Sequence, residues 1–231
     1  MPKKPRTEEE IEEIKANILH HALELINQGG FEGFSMRKLA RRLGVSVVTI
    51  YSYYKNKDDL YLAILTKGFE KLYHACHDAC ESEKEPYARL RKMVLAYVDF
   101  GFDSSNFYNL MFTWHVPKYE DYVGTPLENA AAIELNAGLQ VRTFFLKAIR
   151  EYADIHNLQV KDEDIEFYLI VFWSLLHGFI AGNNNKILSY MHDNPLGLKE
   201  RILEFVLERM ALSVMASYDN QSRREKGEDH E

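Results

Sequence analysis

Between Ser35 and Lys57 the chain carries six basic side chains, Arg37, Lys38, Arg41, Arg42, Lys55 and Lys57, and no acidic one. Interleaved with them are the hydroxyls of Ser35, Ser46, Thr49, Tyr51, Ser52 and Tyr53 and two small apolar groups, Val47 and Val48. Guanidinium and ammonium groups pair with phosphate oxygens, and hydroxyls donate to phosphates or base edges. A valine can rest on a thymine methyl. This is chemistry for holding a nucleic acid. The sum of charges hides it, because the formal net charge is −7. Residues 1–57 hold ten Lys/Arg against seven Asp/Glu, whereas the remaining residues hold 18 against 28. The basic segment is therefore the face expected to meet a polyanion.

These side chains need a scaffold, and local signals supply one. Thr7 with Glu10 makes a capping-box pattern, and Ile11, Ile14, Ile18, Leu19, Ala22 and Leu25 follow at helical spacing until Gly29-Gly30. Ser35 caps a second helix to about Leu43, with Met36, Leu39, Ala40 and Leu43 facing inward, and Gly44 ends it. Ser46 caps a short third helix over about residues 47–53, and Asn56 caps a fourth from Lys57 to about Ala79. The third helix is rich in Val, Ile, Thr and Tyr and has poor intrinsic propensity. It is expected to be held by packing, with Val45 plugging the space between helices and Ile50 as second anchor. Ala40 lets the helices approach, and Gly44 accepts a left-handed turn. Helix, glycine turn and exposed second helix make a helix-turn-helix.

The run Leu43-Gly44-Val45-Ser46-Val47-Val48-Thr49-Ile50-Tyr51-Ser52-Tyr53-Tyr54-Lys55-Asn56-Lys57-Asp58-Asp59-Leu60 resembles the DNA-binding domain of the TetR family. There a Leu-Gly-Val-Ser-x-x-Thr-Leu-Tyr-x-x-Phe-x-Asn-Lys-x-x-Leu pattern crosses from the recognition helix into helix four. The resemblance covers about the first 70 residues. It implies that Thr49, Tyr51 and Tyr53 contact phosphates or base edges, that Lys57 holds a phosphate, and that Ser35 and Arg37 reach DNA from helix two. Ser46, Val47, Val48 and Ser52 complete the DNA-facing set. Val47 and Val48 stand where the family often has polar residues or glycine, so base reading is expected to be partly apolar, with more left to DNA shape. Tyr54, four residues after Ile50, reads as core.

Beyond Pro86, apolar residues at helical spacing predict helices to Gly101, over residues 105–114, from Thr125-Pro126-x-Glu128 to about Asp154, from Asp162 to about Gly182, and from Asn194-Pro195 to about Ser217. No alternating strand pattern interrupts them, so the fold class is all-α. The expected division is a DNA-binding domain over 1–57, helix four connecting over 57–79, a larger helical domain over 80–218, and a disordered tail over 219–231. Trp173-x-x-x-His177-Gly178 resembles a signature of one group of TetR-like C-terminal domains. In that family the last two helices pair about a twofold axis. Ile165, Leu169, Phe172, Leu176 and Ile180, with Ile202, Phe205, Val206 and Leu212, supply apolar surface for such a homodimer. Tyr97, Phe100, Phe112, Trp114, His115, Trp173 and His177 are candidates to line a pocket for a small apolar or aromatic effector, the alternative being an ordinary core.

His74, Cys76, His77 and Cys80 offer ligand types, but His77 is offset by about 100° from Cys76 on a helix and no second cluster accompanies them, so neither metal nor cofactor is expected. Two cysteines four residues apart imply no disulfide framework. No uninterrupted apolar run reaches the roughly 20 residues of a membrane span, and the N-terminal residues lack a secretory pattern, so a soluble cytoplasmic protein with no membrane partner is expected. A glycine-rich phosphate loop, nucleophile elbow and paired metal-binding histidines are all missing, which argues against an enzyme. The resulting expectation is a regulator, a repressor in the family's commoner mode, released from palindromic double-stranded DNA by an effector. A DNA-binding protein whose helical domain takes a protein partner, or no ligand, is the alternative.

Overall fold

In a computed structural model the described residues are 6–114, 116–156, 158 and 160–225, with side chains described to 213. Among them helices and short 3-10 turns are the only regular elements. Thr7 starts α1 (Glu8–Gly33) through a reciprocal box in which the Glu10 N–H donates to Thr7 Oγ1 at 3.2 Å and the Thr7 N–H to Glu10 Oε2 at 2.9 Å. The expected stop is real: Gly30 breaks the helical path with φ 72°, and a last turn follows it. Next come α2 (Met36–Leu43), α3 (Val47–Tyr51) and α4 (Lys57–Cys80). They are followed by α5 (Pro86–Asp103), α6 (Ser105–Phe112), α7 (Glu128–Ile155), α8 (Asp162–Asn184) and α9 (Lys199–Glu225).

Two starts differ from expectation. Thr125 Oγ1 accepts from the Leu127 N–H, and Glu128 reaches back to the Gly124 N–H, so the proline sits in a turn ahead of α7. Asn194 likewise caps a 3-10 turn, Pro195–Leu198, which leads into α9. At the other end α9 runs on to Glu225, past the expected stop at Ser217. Extending a formed helix adds one hydrogen bond per residue ordered, without needing an apolar face. Of the expected tail, 219–225 is thus helical, and 226–231 lie outside the described residues.

The chain packs as two units, Met1–Glu70 with Asn106–Gly138, and Lys71–Ser105 with Leu139–Glu231. Helices α4 and α7 each contribute residues to both units. The first unit buries Ile18, Ala22, Ile26, Leu39, Ile50 and Leu60. In the second, Leu90, Met93 and Val98 of α5 are buried together with Ile180 of α8 and Leu207 of α9. Gly101 lets α5 approach α8 closely, for a Cβ there would lie 2.6 Å from Ile180 Cγ2.

Helix α8 has a mean hydropathy of 1.6 and meets the length and apolarity of a membrane span, which counting uninterrupted apolar residues had not suggested. Its apolar residues point two ways. Ile165, Phe172, Leu176 and Ile180 are buried within the unit, and so is Val206 of α9. These residues of the expected twofold surface are therefore already covered. The uncovered stripe is Phe167, Ile170, Val171 and Leu175, joined on α9 by Phe205 and Leu212.

Candidate nucleic-acid interface

The turn between α2 and α3 is built by the backbone. Ser35 Oγ accepts from the Lys38 N–H at 3.3 Å to start α2, and Gly44 ends it in the left-handed region at φ 66°, ψ 27°. The Val45 N–H then donates to Ala40 O at 3.0 Å. Ser46 Oγ accepts from the Thr49 N–H at 3.1 Å, starting an α3 of only five residues. One tightly buried side chain, Ile50, anchors it, and the Tyr53 and Tyr54 N–H groups fold back onto Ile50 O. Val45 does not act as the expected plug: its side chain is 40% exposed, and its place is held by its backbone hydrogen bond. Tyr54 is buried, and that burial pushes its phenol pKa well up.

What α3 presents outward is a small amphipathic surface. Val48 is 72% exposed and Tyr51 49% exposed; Ser46 and Ser52 are exposed, while Val47, Thr49 and Tyr53 are half-buried. Ser46 Oγ and Thr49 Oγ1 share a hydrogen bond at 2.9 Å, and Ser52 Oγ donates to Thr49 O at 2.7 Å. Arg6 donates to the Tyr53 hydroxyl, which leaves the phenolic hydrogen available to another acceptor.

The six basic residues divide by what holds them. Arg42 Nη2 donates to Glu24 Oε2 at 2.6 Å, and His21 Nδ1 donates to the same oxygen at 3.2 Å. The His21 hydrogen bond holds the Glu24 carboxyl below its usual pKa; burial opposes it, and the Arg42 charge adds to the lowering. Lys38 Nζ is spent on Gly33 O at 2.6 Å, and Lys57 Nζ lies 3.9 Å over the Phe31 ring. Lys55 is exposed. Arg37 and Arg41 are also exposed and make no ion pair among the described residues. Asn56 Oδ1 accepts from the Asp59 N–H at 2.8 Å, capping α4 as expected.

The residues proposed for an effector pocket fall in different places. Tyr97 and Phe100 are buried in the second unit, where Tyr97 meets Phe145 edge-on at 5.9 Å. Trp173 stacks on His177 at 4.9 Å but is itself exposed beside Ile170, and burial lowers the pKa of His177. Phe112, in the first unit, packs against Phe69 and Tyr108 at 5.7 and 4.9 Å. Trp114 is half-buried in that unit, and His115 lies outside the described residues. Cys76 and Cys80 are both buried, and burial pushes the Cys76 thiol up to about 12. Two other triads, His20-His21-Glu24 and His77-Asp78-Glu81, bring ligand atoms within 4.8 Å of one another. In the first of these the Arg42 cation already sits on Glu24. The sequence pointed neither to that clasp nor to Tyr61 and Tyr122, whose hydroxyls are buried without a hydrogen-bond partner among the described residues.

Residues 18–64 match the family described as bacterial regulatory proteins, tetR family, and residues 90–206 match the tetracyclin repressor-like C-terminal domain. The HTH-type transcriptional activator FasR of Mycolicibacterium smegmatis is 30% identical over 115 residues, 50% of each chain. The HTH-type transcriptional repressor KstR of the same organism is 34% identical over 82 residues, 36% of this chain and 40% of the relative. The chain thus spans about half the length, or less, of these curated relatives in the matched regions. A protein of unknown function from Rhodococcus sp. RHA1 shares the fold with a TM-score of 0.66 at 20% identity, over 94% of this chain and 99% of that one.

Proposed function

The chain belongs to the TetR family of bacterial DNA-binding transcriptional regulators, and from that premise we propose that it is a dimeric cytoplasmic repressor, released from a palindromic operator by a small apolar or aromatic effector. The family is one of regulators and not of enzymes. The observation that carries the DNA-binding part is the outward face of α3, where Val48 and Tyr51 stand exposed, with Arg37 and Arg41 on α2 exposed and in no ion pair among the described residues. A short helix with that face can enter a major groove while the cations take flanking phosphates.

Dimerisation is supported by the uncovered stripe of Phe167, Ile170, Val171 and Leu175 with Phe205 and Leu212. An apolar face of this kind favours a partner over water, and a second copy of the same two helices is the partner the family provides. That also accounts for the apolarity of α8 without a membrane. Effector release draws its support from the aromatic residues Tyr97 and Phe100, and repression from KstR, a named repressor, although FasR is a named activator. The Trp173-x-x-x-His177-Gly178 grouping belongs to the same proposal, since the matched C-terminal description names no such group.

Selection of bound duplexes from a random pool tests this reading, with an Arg37→Ala/Tyr51→Ala variant as control. A palindromic site enriched by the wild type and lost by the control is expected. Enrichment of no site by folded protein, or of a single unrepeated half-site, would overturn the dimeric DNA-reading assignment.

A further inference from the structure

His20, His21 and Glu24 stand on the side of α1 turned away from its buried residues Ile18, Ala22 and Ile26. A helix advances about 100° per residue, so Glu24 projects between the two histidines, about 40° from His20 and about 60° from His21. The contacts follow from this. His20 Nε2 lies 3.6 Å from Glu24 Oε1, and His21 Nδ1 lies 3.2 Å from Glu24 Oε2. Taking one ligand atom from each residue, no two are more than 4.8 Å apart. Ligands bound at zinc distances stand about 3.3 Å from one another in a tetrahedron, so only side-chain adjustment separates this cluster from a coordination shell. The three side chains are 65%, 29% and 32% exposed, which leaves an ion a direct way in from solvent.

We propose that His20, His21 and Glu24 form a binding site for a divalent transition-metal ion of the zinc class, and that this ion competes with Arg42 for the Glu24 carboxylate. Two imidazoles with one carboxylate suit such an ion, whereas magnesium and calcium seek shells of oxygen. The carboxylate is ready for it, since the His21 hydrogen bond holds the Glu24 carboxyl below its usual pKa, against burial and with the charges of Arg42 and His20 adding to the lowering. Coordination needs a lone pair on His21 Nδ1, and a neutral imidazole supplies one by carrying its hydrogen on Nε2 instead. Water completes the shell. The Arg42–Glu24 pair is a single, partly exposed ion pair and contributes little, while the ion gains three ligand bonds and so displaces the guanidinium. The His77-Asp78-Glu81 triad offers one imidazole and serves as the internal comparison.

Arg42 lies in α2, the helix that precedes the short α3. Displaced from Glu24, it joins Arg37 and Arg41 as an α2 cation outside any ion pair among the described residues, available to a phosphate. This consequence rests on the DNA-binding reading above, whereas binding of the ion does not.

The test titrates zinc chloride, and separately magnesium chloride, into the full 15N-labelled chain and follows the histidine ring nitrogens, assigned from His20→Ala and His21→Ala. Zinc is expected to shift His20 Nε2 and His21 Nδ1 together and saturably, with magnesium silent. In Glu24→Gln the half-saturation concentration should rise about tenfold or more, the least that losing even an outer-shell partner of a metal costs. His77→Ala should leave it unchanged. No shift at those two nitrogens, a shift of one ring without the other, an equal response to magnesium, or an unchanged half-saturation in Glu24→Gln would overturn the site, and loss of the response in His77→Ala would move the ion to the other triad. No DNA enters this measurement, so its failure leaves the DNA-binding assignment standing, and failure to find an operator leaves this site standing. On a selected duplex, zinc should steepen the slope of log affinity against log salt by roughly 0.9 in the wild type and not in Arg42→Ala. An equal slope with and without zinc would overturn the release of Arg42.

Discussion

Arg42 in α2 holds Glu24 in α1 across 2.6 Å, and His21 reaches the same carboxylate at 3.2 Å. The clasp fixes the first helix of the DNA-reading pair to the helix that precedes it. Its folded form favours the ionised carboxylate, because the His21 hydrogen bond first, and Arg42 with it, lower the Glu24 pKa. A carboxyl with a lowered folded pKa contributes stability above its ordinary value of 4.5 and loses it as pH falls through the folded value. Urea unfolding of wild type and Glu24→Gln should therefore show a small stability gap at neutral pH that closes below about pH 4.5. A gap of constant size at every pH would mean that the ionised clasp contributes nothing.

The same clasp sorts the cations by role. Arg37 is exposed and unpaired among the described residues, whereas Arg42 is already neutralised by Glu24. Each phosphate contact contributes roughly −0.9 to the slope of log affinity against log salt. Arg37→Ala should lower the magnitude of that slope by about one on the selected duplex, and Arg42→Ala should leave it nearly unchanged. Fluorescence anisotropy over a salt series reads both, and equal slopes in the two variants would remove the distinction.

What the sequence made legible was local. Thr7, Ser35, Ser46 and Asn56 cap the helices they were expected to cap, and Gly44 takes the left-handed turn, because each acts on backbone within four residues of itself. Arg42 counted as a phosphate-facing charge until folding brought Glu24 to it from eighteen residues away. Val45 has the right type for a plug, but whether a side chain fills a gap depends on the angle between two helices, which no local signal carries. The twofold stripe failed in the same manner. Apolar residues lie on two faces of α8, and the pattern alone cannot say which face its own chain covers. Tyr61 carries no signal of its own in the sequence, and only its buried hydroxyl, unmatched among the described residues, sets it apart.

Tyr61→Phe deletes that hydroxyl and leaves the ring that packs on Phe31. Since the group is buried without a hydrogen-bond partner among the described residues, its removal should stabilise the protein by about 1 kcal/mol, within the range that an unmatched polar group costs. Thermal unfolding measures it. Destabilisation of similar size would show that the hydroxyl is matched in solution.

Gly101 and Ile180 test the packing of α5 on α8. An added Cβ at Gly101 would lie 2.6 Å from Ile180 Cγ2, 2.9 Å from Cδ1 and 3.1 Å from Cγ1. A β-branched side chain on a helix has one strongly preferred rotamer, so Ile180 cannot turn aside without strain. Gly101→Ala should cost about 1–3 kcal/mol, although alanine is intrinsically the better helix former. Ile180→Ala alone should cost about 2–5 kcal/mol by opening a cavity. In the double variant the new methyl enters the space that the isoleucine vacates, so the combined loss should fall below the sum of the two. Unfolding free energies of the four proteins form the cycle. Strict additivity would show that the helices already adjust around Ile180 and that close approach is not what demands glycine at position 101.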